Sequence, residues 1–344
     1  MNLKPVEDIA EAVLYEGYML YPYRPSSIKN RQRFNFGVLS PPAWCAHEAG
    51  SDSSWFQAEC LLRTTPEAQI TVKVGFLQLV QRNICRYSRS GFVEHVEALT
   101  IDERNYQPWQ EAEERTFLCE CLKPTAETSP RKMTFSFPAG SSSEELHDKE
   151  GKLAGAIVRI WQSLAGSLDL QVAPCPADAI KLTTRVANRS EFNLAGHNEP
   201  VREAALLSSL VSAHLILGVE GGEFVSLLEP PSDLAEIAKS CENIGVWPVL
   251  AGDDATTVLA SPIILYDFPQ IASESAGNLF DATEIDEILS LRILTLTDAE
   301  KAEIRQGDER ARALLERTES IPPEQFQKLH GVLRGVNVLE EEPK

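Results

Sequence analysis

Cations are scarce in this 344-residue chain: 32 lysines and arginines face 51 aspartates and glutamates, a formal charge of -19. Affinity for nucleic acid comes mostly from cations displacing counterions from phosphates, so this balance excludes a non-specific RNA or DNA binder. Long apolar runs are missing too. Stretches such as "SPIILY" are far too short to span a bilayer, and no membrane partner is expected. The N-terminal "MNLKPVEDIAEAVLYEGYML" carries Glu7, Asp8, Glu11 and Glu16 where a secretory leader needs a basic start and an unbroken apolar run. A cytoplasmic location is therefore expected. Cysteine is limited to seven scattered positions, an odd number (Cys45, Cys60, Cys85, Cys119, Cys121, Cys175 and Cys241), which reads as reduced thiols. There is no CxxC, no HxxxH and no GxSxG elbow. "GVEGGEF" lacks the GxGxxG order and opens no helix, which disfavours nucleotide binding.

What is present is an ordinary globular composition, 43% hydrophobic and 24% charged, in a chain longer than one core usually holds. From residue 13 to about 190 the apolar period is two. Phe56, Ala58, Cys60 and Leu62 fall on one side of a strand, as do Ile70, Val72, Val74 and Phe76 in "ITVKVGF". Many short alternating runs without long helical patterns predict an antiparallel sandwich or barrel over residues 1–198. Residues 199–280 read as a mixed α/β segment: "REAALLSSLVSAHL" has helical spacing, and "GVEGGEFVSLL" reads as a hairpin turning at Gly221 and Gly222. In "SDLAEIAKSCENIGVWPVLAG" a short helix is expected, capped by Ser232 and stopped at Gly245, and "TVLASPIILYDFP" reads as a buried strand. Residues 281–344 read as an acidic helical tail. The fold class expected is thus α+β.

Several residues could carry chemistry. Cys45 and His47 in "WCAHE", with Cys119 and Cys121 in "LCECL", are the candidate ligands for nickel or zinc, although Phe117 shares the Cys119 face and points to plain core packing. Cys175 lies between two prolines and is a candidate exposed thiol. His214, set among leucines, reads as a hydrogen-bonded core residue. The irregular stretch "YPYRPSSIKN" crowds Arg24, Lys29 and the following Arg31 together. These cations either pair with the chain's own acids, such as Asp281, Glu284 and Asp286 of "DATEIDE", or meet an acidic partner.

Two long stretches, "LYEGYMLYPYRPSSIKNRQRFNFGVLSP" and "SPIILYDFPQIASESAGNLFDATEIDEILSLRILTLTDAEK" (residues 261–301), together resemble an uncharacterised family encoded beside high-affinity, oxygen-insensitive nickel-iron hydrogenases. "AHLILGVEGGEFVSLLEPP" and "NIGVWPVLAG" fit it too. The resemblance brings no catalytic residues. It implies a non-catalytic accessory role, with a hydrogenase subunit or maturation factor as partner. A nickel- or zinc-handling protein is the alternative, and a thiol- or carboxylate-dependent enzyme the third reading.

Overall fold

In chain order the elements are α1 (Lys4–Leu14), α2 (Pro42–His47), β1 (Trp55–Tyr87), β2 (Val93–Val96), β3 (Leu99–Ile101), β4 (Arg104–Tyr106), β5 (Trp109–Leu122), β6 (Arg131–Phe137), β7 (Gly140–His147), β8 (Leu153–Trp161), β9 (Leu164–Cys175), β10 (Ala179–Asn188), α3 (Arg202–Leu206), β11 (Val211–Val225), α4 (Ala235–Lys239), β12 (Trp247–Leu250), β13 (Thr257–Ser261) and α5 (Asp298–Arg305). They come from a computed structural model that describes residues 3–14, 36–47, 52–87, 93–102, 104–124, 130–194, 202–270 and 296–305, with a few positions between 312 and 320.

The fold is organised by β1. Drawn straight, its 33 residues would reach about 110 Å at a strand's rise per residue, so the strand must bend to stay within one molecule. Pro66, which has no N–H to give a ladder, falls where the register with β11 slips between Thr64 and Gln69. Gly221 answers on the partner strand with φ +76°, and a Cβ there would press on Thr65 and Ala68. One edge of β1 pairs with β11 along residues 61–77 and then with β8 along 81–86. The other pairs with β10 along 55–63, β5 along 70–82 and β2 along 84–87. Every ladder is antiparallel.

The even-numbered side chains of β1 face one core. Phe56, Ala58, Cys60, Leu62, Ile70, Val72, Val74 and Phe76 are buried in it with Leu168 and Leu170 of β9, Leu182 of β10 and Leu215 and Leu217 of β11. This is the face that the period-two pattern predicts. β6 is hydrogen-bonded to β9, yet its Phe135 reaches the rings of Phe76 (5.9 Å) and Phe117 (5.0 Å). The sheet is therefore folded over itself around that core. On its outer side, Val6, Ile9, Ala10 and Leu14 of α1 cover Leu77, Leu79 and Ile216. Leu234 and Ala238, around α4, cover Leu61 and Ala179.

Several expectations are corrected. The fold is mainly β, not α+β: the segment expected to be mixed contributes β11, β13 and β12 to the same sheet as β1. Nothing in helical spacing opposes this, because a run buried on both faces has no period to read, and Val211 to Val219 is such a run. Of the expected helical tail, the described residues beyond 281 delimit one helix, the eight-residue α5. Gly221 and Gly222 lie inside the continuous β11, opposite a bulge of β1 at residues 65–68, and make no hairpin turn. Locally, α4 has Leu234 at its N-cap with no side-chain cap, and Gly245 lies past its end at Ser240.

Candidate functional site

Arg24, Lys29, Arg31, Asp281, Glu284 and Asp286 lie outside the described residues. Of the candidate metal ligands, Cys45 and His47 sit on α2, beside the buried Trp44, whose indole N–H donates to Asp52 Oδ2 at 2.8 Å. Burial, and then the Asp52 carboxylate, push the Cys45 thiol up. Cys119 is elsewhere, buried in the main core opposite Val72. Cys121 lies on β5, and its side chain is outside the described set. Among the described residues, no three His, Cys, Asp or Glu side chains gather closely enough to hold a metal ion. His214 lies within β11, fully enclosed, with Nδ1 2.9 Å from the Ser212 carbonyl.

Two constellations were not foreseen. On the outer face of β1 and β10, the nearly buried Glu59 accepts from Lys181 Nζ (3.0 Å), Thr183 Oγ1 (2.9 Å) and the Glu242 N–H (2.9 Å). Burial alone would raise its pKa; those three donors outweigh burial and hold the carboxyl below its ordinary value. With every donor intramolecular, Glu59 is a clamp that fastens the chain after α4 to the sheet. The second is Cys85 Sγ at 3.6 Å from Nδ1 of His95, its cross-strand neighbour on β2. A thiol beside an imidazole is a nucleophile–base geometry. Here, however, Cys85 is 1% exposed and burial pushes its thiol up, the opposite of activation. Only the hairpin register of β1 and β2 brings these two together; their ten-residue separation carries no motif.

The surface offers a clearer feature. After β13 the chain continues from Pro262 to Phe268 beside β12. Ile263 and Leu265 pack inward with the α1 layer. Ile264 and Tyr266 turn outward, 72% and 87% exposed, followed by Phe268 at 40%. The segment is well tied down. Asp267 accepts from the Leu250 N–H (2.8 Å) and from Ser226 Oγ (2.5 Å), while the Phe268 N–H donates to the Leu250 carbonyl (2.7 Å). Ser226 Oγ in turn accepts from the N–H of Leu228, itself 52% exposed. Phe268 adopts φ +55°, a left-handed backbone that costs a bulky residue energy and concentrates at functional positions. The expected buried strand "TVLASPIILYDFP" is thus buried only to Ser261 and then half exposed.

No family model matches the chain, and no curated protein matches it. Among the described residues, no helix is long and apolar enough to cross a membrane.

Proposed function

We propose that this chain is a non-catalytic accessory protein that docks a nickel-iron hydrogenase subunit or one of its maturation factors through the face made by Ile264, Tyr266, Phe268 and Leu228. The observation that carries the reading is a segment pinned to the sheet by its backbone and by Asp267 while it holds three large apolar side chains in water. Burying such side chains is what an interface gains most from, and aromatic anchors dominate binding energy. The same segment opens the 261–301 stretch that resembles the hydrogenase-linked family. Since the chain carries -19 charges, the partner surface is an apolar groove ringed by cations.

Co-purification from the native host at low salt tests this. Wild-type protein retains a hydrogenase component, and Ile264→Ser with Tyr266→Ser lowers retention at least about 10-fold, because two anchors of this kind are worth roughly 2 kcal/mol or more. The thermal midpoint stays put, since both side chains are already in water. Equal retention by the double variant, or no hydrogenase component on either protein, rejects the proposal. Nickel or zinc handling, the alternative, has no gathered ligand set in its favour among the described residues.

A further inference from the structure

Two of the thiols border one small core on the outer face of the sheet. Cys175 is the last residue of β9, directly opposite Ala179. It therefore shares a face with Lys181, one pair further along β10, and with Glu59 and Leu61 across the ladder to β1. That is the face α4 covers. Cys241 follows α4, with Sγ 3.6 Å from the Ile237 carbonyl, and the next residue, Glu242, is fastened by its N–H to Glu59. Both thiols pack against the cluster formed by Leu61, Ala179, Leu234 and Ala238. The Lys181 ammonium, held on the same face 3.0 Å from Glu59, partly offsets the effect of burial and of the Glu59 carboxylate on the Cys241 thiol. Both are partly exposed, unlike Cys60, Cys85 and Cys119.

We propose that Cys175 and Cys241 form a redox-active thiol pair, which closes to an intramolecular disulfide when a small-molecule disulfide such as oxidised glutathione is present. A protein thiolate attacks one sulfur of the oxidant, expelling one thiolate and leaving a mixed disulfide. The second protein thiol, deprotonated, attacks the protein sulfur of that mixed disulfide and expels the other thiolate. Two protein thiols lose two protons and two electrons, and the oxidant is reduced to two thiols. Burial and the Glu59 carboxylate push the Cys241 thiol up to about 11, so little of it is thiolate near neutral pH. Lys181 favours the Cys241 thiolate. The product fastens the exit of α4 to the β9–β10 hairpin.

The test uses the full chain, purified reduced, equilibrated with oxidised glutathione, alkylated under denaturing conditions and mapped by peptide mass spectrometry. The expected product is a Cys175–Cys241 cross-link, two hydrogens lighter than the dithiol, with two fewer free thiols and a thermal midpoint that rises and returns on reduction. Cys175→Ser and Cys241→Ser each abolish the cross-link, the second leaving glutathione on Cys175. Stable mixed disulfides on both residues of the wild-type chain, or a cross-link to Cys60 instead, overturn the proposal, and this outcome needs no variant to fold.

Discussion

At the scale of single residues, the buried polar groups decide how stability responds to conditions. His214 is enclosed beneath Gly75, where any Cβ would overlap its ring. Burial holds its pKa below the ordinary 6.5. The folded chain therefore keeps this ring neutral where the unfolded chain protonates it. Stability from this group is present above pH 6.5 and is lost as pH falls below it, by up to about 1.4 kcal/mol per pH unit. Urea unfolding at pH 7.5 and pH 5.5 should show a drop in the wild type that is smaller in His214→Leu; equal drops would refute the assignment. Asn188 shows the complementary case of a buried amide with every need met: it donates to the carbonyls of Leu39 (2.7 Å) and Ser208 (2.9 Å) and accepts from the Ser190 N–H (2.7 Å). It joins β10 to the turn after α3 and to the strand-like segment at Leu39.

At the scale of elements, turns and bulges place the strands. The β9–β10 hairpin turns through Ala177 at φ +58° and Asp178 at φ +54°. Two left-handed residues in succession suit the right-handed twist of the flanking strands, but alanine is strained there. Ala177→Gly should stabilise the protein by about 0.5–1 kcal/mol, the strain relieved being partly offset by glycine's unfolded-state entropy. Gly221 is the mirror case, with φ +76° and Thr65 Oγ1 at 3.0 Å from where a Cβ would lie. Gly221→Ala should cost about 1–3 kcal/mol, and denaturant midpoints for the two variants should move in opposite directions. A shift of the same sign in both would contradict the turn and bulge assignments.

At the scale of the whole molecule, charge and shape act together. In the docking proposed above, a chain of -19 would steer a cationic partner from a distance, and the Ile264, Tyr266 and Phe268 face would supply the short-range gain. Raising salt from 0.1 M to 1 M shortens the screening length from about 10 Å to about 3 Å. Association with the partner should slow steeply over that range while the dissociation rate changes little, as surface plasmon resonance can measure. A salt-insensitive association rate would remove the electrostatic half of the argument.

The sequence by itself determined which side chains share a face. Phe56 to Leu62 and Ile70 to Phe76 point into the core because side chains alternate along any strand, whatever its neighbours. It determined equally that Cys119 beside Phe117 is core material. What it left open is which strands are neighbours, since ladder partners are remote in sequence and alternation does not name them. Hence the sequence separates β1 from the β11–β13 segment although they share one sheet, and a run apolar on both faces carries helical spacing although it is a strand. Tertiary structure alone set His95 against Cys85 and put Cys175 and Cys241 on one small cluster. It also turned Ile264 and Tyr266 outward. Alternation separates Ile263 and Leu265 from Ile264 and Tyr266, but only the position of α1 against the sheet decides which pair is covered.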